Sequence, residues 1–163
     1  MKKLKVGIIG LEFGATCHLP AFKKNNKCKI IALCSNNLKK AKFLAKKNNI
    51  GVIIAEPLAQ GLLTNKYKIG HTFPKNDVRS SCYSKQLLEK KLKRVKQFNF
   101  LIKKNRTLNQ AALAYILSKE EVSTCIPGAK STEQLISNTT SSKIELNQPE
   151  LKKIKEIQEE WRD

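Results

Sequence analysis

The chain has 163 residues and is 40% hydrophobic, which suits a single domain with one modest core and excludes a chain that stays disordered. No apolar run approaches the roughly 20 residues that cross a bilayer, so we expect a cytoplasmic protein with no membrane partner. The five cysteines form no CxxC pair and the two histidines are isolated, so we expect reduced thiols and no metal site.

The net charge of +19 makes polyanions possible partners. Only four of the 32 basic residues are arginine, the side chain that reads base edges and phosphates bidentately. The lysines are spread along the chain, and asparagine is abundant beside them, which indicates biased composition rather than a nucleic-acid site. We therefore expect weak, salt-sensitive binding to polyanions.

The first fifty residues contain two apolar runs, near 4–9 and 29–34, that are typical of buried parallel strands. A helix is predicted after each strand, and Ser35 or Asn36 is expected to cap the second helix. This order of strand, helix, strand, helix is typical of the front of a doubly wound α/β fold.

The turn after the first strand reads GLEFGA, from Gly10 to Ala15. It matches the dinucleotide fingerprint GxGxxA except that Glu12 replaces the second glycine. The first glycine of the fingerprint makes the tight turn, the second lets the backbone approach pyrophosphate, and the third position packs helix on strand. A carboxylate in the second place is expected to repel a phosphate there.

The stretch KVGIIGLEFGATCHLPAFKKN, with KIIALCSNN after it, resembles the N-terminus of the Gfo/Idh/MocA family of nicotinamide-dependent oxidoreductases over about residues 3–49. The resemblance implies that Gly10, Gly14 and Ala15 form the cofactor turn. It also places Ser35 and Asn36 near the adenosine ribose, where this pair is more compatible with NADP than an acid would be. The third strand, the catalytic lysine and the substrate domain of that family have no counterpart.

The pattern changes at residue 50. It predicts strands near 51–55 and 122–126, a polar loop over 65–81 and a helical stripe over 84–103. Thr107 and Ser131 are expected to cap the next two helices, and Pro149 is expected to begin the last helix. Lys130 lies between the last strand and its helix, and a cation beside a helix N-terminus at that edge is typical of an anion site. An ordinary capped helix fits the same residues.

Residues of about 51–161 resemble the C-terminal part of aldo-keto reductases, in the motifs EPLAQGLLTNKY, FPKNDVR, TLNQAALAYILS and VSTCIPGAKSTEQLISN. The resemblance implies the last two βα units of a TIM barrel and NADP as cofactor. It assigns the adenosine 2′-phosphate to Gly128, Lys130, Gln134 and Asn138, and it places Leu58, Gly61 and Leu62 beside the pyrophosphate. The catalytic Tyr, Lys, Asp and His of the family have no counterpart here.

We therefore expect an α/β fold of about four parallel strands with flanking helices. A Rossmann-like NAD(P)-binding fragment (1–49) would be joined to an aldo-keto reductase C-terminal fragment (50–163). The expected function is that of a chimeric or internally deleted NADP-linked oxidoreductase that binds the dinucleotide at most. Two alternatives stay open, a non-catalytic nucleotide-binding module and a basic polyanion-binding protein. Open sheet edges would also be compatible with a homo-oligomer.

Overall fold

The computed structural model describes residues 2–35 and 37–161 and contains one sheet of four parallel strands with flanking helices. The described strands are β1 (Leu4–Ile9), β2 (Cys28–Ser35), β3 (Gly51–Ala55) and β4 (Val122–Ile126). The described helices are α1 (Leu19–Lys24), α2 (Leu38–Asn48), α3 (Arg79–Cys82), α4 (Lys85–Lys96), α5 (Leu108–Leu117), α6 (Thr132–Thr140) and α7 (Gln148–Glu160). The predicted α/β class and the four parallel strands are confirmed.

The strands lie in the order β1-β2-β3-β4, and each neighbouring pair is parallel. A doubly wound sheet reverses its strand order at a switch point, and the four described strands contain no such reversal. Sequential parallel order is that of a barrel segment. The predicted Rossmann-type front therefore finds no support in the strand order, although the β-α-β-α succession is present.

The chain forms two compact units. The first unit runs up to Pro57 and includes Ile116–Gly128, so it contains the whole sheet. Its core is formed by apolar side chains of the strands together with those of α1, α2 and the turn after β1, among them Ile8, Leu33 and Val52. Because β3 pairs with β2 in parallel, residues 51–57 belong to the same unit as the first fifty.

The second unit contains Leu58–Tyr115 and the segment from Ala129 onward. Its core contains the buried faces of α4, α5 and α7, with Leu92, Leu108 and Ile154 among its members. The predicted stripe over 84–103 is divided, since α4 ends at Lys96 and a 3₁₀ turn follows at Asn99–Leu101. None of the described helices is long and apolar enough to cross a membrane.

Helix caps were predicted with mixed success. Thr107 and Ser131 cap their helices through hydrogen bonds with Gln110 and Gln134. The prediction for α2 was wrong, because its cap is Asn37, whose side chain accepts the N–H of Lys40 at 3.1 Å.

The last helix, α7, begins one residue before Pro149. Asn147 caps it in a reciprocal pair with Glu150, so proline takes the second helical position rather than the first. A proline fits either place because the N–H groups of the first turn have no partner within the helix.

Candidate functional site

A cleft of about 490 Å³ lies at the carboxyl end of β1, β2 and β3 in the first unit. This volume lies in the range of small-molecule sites, and the carboxyl edge is where parallel sheets bind ligands. The lining residues are Ile9, Gly10, Leu11, Glu12, Phe13, Gly14, His18, Cys34, Ser35, Ala55 and Glu56. The cleft thus contains three residues of the predicted cofactor set, Gly10, Gly14 and Ser35.

Two glycines of the turn after β1 have different structural roles. Gly10 has φ +84° and donates its N–H to the Cys34 carbonyl at 2.9 Å, so its backbone conformation favours glycine. At Gly14 an added Cβ would lie 2.8 Å from Ile8 Cγ2, so the chain approaches β1 closely there. The fingerprint assigns this close approach to its third position, which is Ala15. In the structure Gly14 makes the approach instead, and Ala15 is partly buried against the core.

Glu12 occupies the place of the second fingerprint glycine. Its carboxylate is 87% exposed and accepts a hydrogen bond from Lys40 Nζ at 2.8 Å. The predicted negative charge is present but is paired with a lysine of α2. An exposed pair of this kind contributes about 0–1 kcal/mol, so an incoming anion could displace the carboxylate at small cost.

At the ends of β2 and β3, the cleft is lined by Ser35 and Glu56. Ser35 is 8% exposed and its hydroxyl accepts the N–H of Asn37 at 3.0 Å. Asn36, which was predicted beside it, lies outside the described residues. Glu56 has φ +51°, a conformation that non-glycine residues rarely adopt and that concentrates at functional sites. This conformation was not predicted, because nothing in the dipeptide Glu56-Pro57 marks a left-handed residue.

In the second unit, the segment Leu58–Thr64 carries three of the predicted pyrophosphate neighbours. The side chains of Leu58 and Leu62 are buried and belong to the core. Between them Ala59, Gln60 and Gly61 all have positive φ, at 48°, 56° and 91°. Leu58 before them has φ −103° and ψ 13°, in the bridge region, so the left-handed residues follow a turn-like one. Successive N–H groups of a turn can form an anion-binding nest, and in this turn the Gly61 N–H already donates to the Leu58 carbonyl at 3.0 Å.

The loop before α6 carries Lys130, which is exposed. Gln134 Oε1 accepts the Lys130 backbone N–H at 2.8 Å, and Ser131 Oγ accepts the Gln134 N–H at 3.3 Å. Gln134 therefore holds the loop to the helix start. A hydrogen bond from Ser131 also keeps the pKa of the Glu133 carboxyl below its usual value.

The remaining two predicted phosphate contacts differ in exposure. Asn138 is 9% exposed on α6, and Gly128 is exposed, with no atom within 4 Å of an added Cβ. Gly128 closes the last segment of the first unit, whereas Lys130, Gln134 and Asn138 belong to the second.

An arginine that received no role from the sequence lies beside the Leu58–Thr64 segment. Arg79 donates to Asp77 and to the carbonyl of Gln60, and it stacks on two aromatic rings. Hydrogen bonds from Arg79 hold the pKa of Asp77 far below its usual range, and the positive charge of Lys130 adds to the effect. Both Asp77 and Arg79 lie in the FPKNDVR motif, but a pair separated by two residues in a loop has no sequence signature.

Among the described residues, no group of three or more His, Cys, Asp or Glu side chains could hold a metal ion. The chemically relevant groups of these two regions are instead backbone N–H groups, exposed lysines and carboxylates.

Comparison with known proteins identifies the family. The model of the aldo/keto reductase family matches residues 25–159. The chain belongs to the aldo/keto reductase family. The match begins at Asn25, so it includes β2 and α2 as well as the residues from 51 onward.

Two curated relatives are similar to about two thirds of the chain. The chain is 32% identical over 114 residues to aldo-keto reductase yakc [NADP(+)] of Schizosaccharomyces pombe. It is 31% identical over 119 residues to aldo-keto reductase str7 of Strobilurus tenacellus. These alignments cover 68% and 71% of this chain but only 34% and 35% of the relatives, so the chain spans about a third of their length.

Solved structures show the same fold. The aldo-keto reductase AKR11C1 from Bacillus halodurans superimposes with a TM-score of 0.62 at 19% identity, over 93% of this chain and 49% of that one. The glycerol dehydrogenase AKR11B4 from Gluconobacter oxydans gives a TM-score of 0.65 at 20% identity, over 96% and 58%. The name of the Schizosaccharomyces pombe relative includes NADP(+) for that protein.

Proposed function

We propose that these 163 residues bind NADP(H) in the second unit, with the adenosine 2′-phosphate at Lys130 and the start of α6. The observation that carries the proposal is an exposed lysine at the N-terminus of a nine-residue helix. The helix N-terminus presents unpaired N–H groups and a partial positive charge, to which Lys130 adds a full one. Glu133 opposes this in part, because its carboxylate lies in the first turn of the helix.

The pyrophosphate is proposed to lie beside the Leu58–Leu62 segment. The turn with three consecutive left-handed residues, Ala59 to Gly61, supports this assignment, because a turn of this kind can expose successive N–H groups to an anion. Gly61 fits the turn, since its φ of +91° favours glycine. Bound NADPH would supply a hydride, and the role proposed for these residues is to bind and orient its phosphates.

We further propose that the 163 residues do not reduce a carbonyl by themselves. Two of the three tyrosines, Tyr67 and Tyr115, are held by hydrogen bonds within the second unit. The hydroxyl of Tyr67 accepts a hydrogen bond from Arg79, and that of Tyr115 donates to Gln158 Oε1 at 3.2 Å. Turnover of an aldehyde with NADPH by the purified chain would contradict this part of the proposal.

The cleft of the first unit is proposed as a second place for a nucleotide. It contains the turn of Gly10 and Gly14, whose resemblance to the Gfo/Idh/MocA opening stays a proposal. The positive φ of Gly10 and the close approach at Gly14 fit a dinucleotide turn, whereas Glu12 opposes it. The proposal requires that removing the Glu12 carboxylate strengthens dinucleotide binding.

The Lys130 site is tested by measuring the affinity for NADPH and for NADH at constant ionic strength. Lys130→Ala should weaken NADPH binding by roughly 10- to 100-fold, the equivalent of one hydrogen bond to a charged group, and leave NADH binding nearly unchanged. Lys143→Ala is the matched control, since it removes an exposed lysine of the 3₁₀ turn after α6.

Three results would contradict the proposal. The wild-type chain could bind NADPH and NADH equally, the preference could survive Lys130→Ala, or both lysine variants could lose affinity alike. The last result, together with a steep fall of affinity with salt, would indicate non-specific polyanion binding driven by the net charge of +19.

A further inference from the structure

Every nitrogen of the Arg79 guanidinium has a partner within the second unit. Nε and Nη2 donate to the two carboxylate oxygens of Asp77 at 2.8 and 2.5 Å. Nη1 donates to the Tyr67 hydroxyl and to the Gln60 carbonyl, the latter at 3.3 Å. The plane of the group stacks on the rings of Phe73, 4.5 Å from the centroid, and Tyr67, at 5.4 Å. A side chain held in this way is fixed in position rather than free to follow a ligand.

The group that Arg79 contacts is a backbone in an unfavourable conformation. Ala59 and Gln60 are left-handed although neither is a glycine, and Gly61 continues the same sense. Left-handed conformations of non-glycine residues persist only where surrounding contacts hold them. Arg79 supplies one such contact at the Gln60 carbonyl, and the Tyr67 ring lies 3.4 Å from the position of a Cβ on Gly61.

The charge of Lys130, the cation of the proposed phosphate site, also acts on Asp77. The charge of Lys130 contributes to the low pKa of Asp77, so the two side chains interact electrostatically. Arg79 stabilises the charge of Asp77 through hydrogen bonds from Nε and Nη2, and neutralising Asp77 would remove that ion pair.

We propose that the Asp77–Arg79 pair, together with Tyr67, is a positioning unit that locks residues 59–61 in the left-handed conformation presented to the dinucleotide. The inference rests on the proposed function for its ligand, but the locking itself does not depend on a ligand. Arg79 is a positioning residue, because its donors are used by the protein and it acts through the backbone of Gln60.

The test combines two measurements on three variants of the full chain. Hydrogen exchange is followed at the amides of Gly61 and Leu63, which both donate to the Leu58 carbonyl, at 3.0 and 3.2 Å. Arg79→Lys keeps the charge but loses the planar fork, so it should raise exchange at these amides at least several-fold and weaken NADPH binding about 10-fold. Tyr67→Phe removes only the hydroxyl and should produce a smaller rise in the same amides.

Arg94→Lys is the matched control, because Arg94 also stacks on an aromatic ring, that of Trp161 at 5.3 Å. It should leave exchange at residues 59–64 and NADPH affinity unchanged. A peptide from the core of α5 reports global opening, and its exchange should not rise in any variant.

The outcomes separate the two proposals. If wild type fails to bind NADPH while Arg79→Lys still raises exchange at Gly61 and Leu63, the locking holds and the proposed function fails. If Arg79→Lys leaves exchange at those amides unchanged, or raises it no more than Arg94→Lys does, the locking is overturned whether or not NADPH binds.

Discussion

Glu150 is a nearly buried carboxylate that connects α7 to the loop before α5. Its residue is 6% exposed, and its oxygens accept hydrogen bonds from both terminal nitrogens of Arg106, one of them at 3.2 Å. Lys103 Nζ lies 3.4 Å away, and the Asn147 N–H donates at 3.1 Å. We predict that Glu150→Gln, which keeps the shape and removes the charge, destabilises the second unit.

The magnitude follows from the ionisation of the group. The hydrogen bonds from Arg106 lower the pKa of Glu150 from 4.5 to about 2, and this depression corresponds to about 3 kcal/mol of stabilisation of the charged form. In proteins generally, removing one partner of a buried ion pair lowers the free energy of unfolding by about 3–5 kcal/mol, because the other charge is left uncompensated. We therefore expect Glu150→Gln to lower the free energy of unfolding by about 3 kcal/mol at pH 7.

The pH dependence has a defined sign. Above the unfolded pKa of 4.5 the carboxyl is ionised in both states, and its full stabilisation is present. As the pH falls, the unfolded state takes up the proton first, so the stabilisation decreases and is lost as the pH passes through the folded value of about 2. The difference between wild type and Glu150→Gln should decrease over the same interval.

Urea unfolding followed by the fluorescence of Trp161 measures the effect. This residue is the single tryptophan of the chain and stacks on Phe98 in the second unit, so it reports that unit. Glu156→Gln on the same helix is the control, since Glu156 is 57% exposed and its pair with Lys152 is worth at most about 0.5 kcal/mol. The reasoning is refuted if the two substitutions shift the urea midpoint equally, or if the loss for Glu150→Gln does not diminish between pH 5 and pH 2.

Two further predictions concern the turn after β1. Gly14→Ala should destabilise the chain by about 1–3 kcal/mol, because its Cβ would meet the Ile8 methyl at 2.8 Å, whereas Gly128→Ala has open space and should be nearly neutral in the same thermal scan. Glu12→Gly should tighten NADPH binding at the cleft several-fold, and Glu12→Gln, which keeps the bulk, should do so less. Unchanged affinity in both Glu12 variants would count against a nucleotide in the cleft.

Much of the fold was predictable because the patterns that define it are local. The four strands were placed within one residue of their observed ends, since each is an apolar run bounded by turn residues. Thr107 was recognised as a cap from its residue type, and Ser131 from its residue type together with Gln134 three residues on. The cap of α2 was missed by one residue because Ser35, Asn36 and Asn37 are all good capping residues, and only the path of the chain chooses among them.

The residues of the candidate sites were predictable only where a sequence motif implies a particular backbone conformation. Gly10 was assigned a tight turn and does have a positive φ, and Lys130 was expected at a helix start and lies there. The roles of Glu56 and Arg79 were not predicted from the sequence, because they depend on the residues that surround them in the fold. The left-handed conformation of Glu56 depends on the path of its loop. The partners of Arg79 come from residues 60, 67 and 77, which loop conformations bring together. No periodicity in the sequence encodes either arrangement.

The sequence by itself determined the number, type and direction of the strands and the aldo-keto reductase resemblance of residues from about 51 onward, because burial patterns and family motifs are written along the chain. Only the tertiary structure decided the strand order, the pairing of Glu12 with Lys40 and the hydrogen bond from Arg79 to the Gln60 carbonyl. These features join residues that are 19 to 28 positions apart in the chain or more, and such contacts depend on how the whole unit closes.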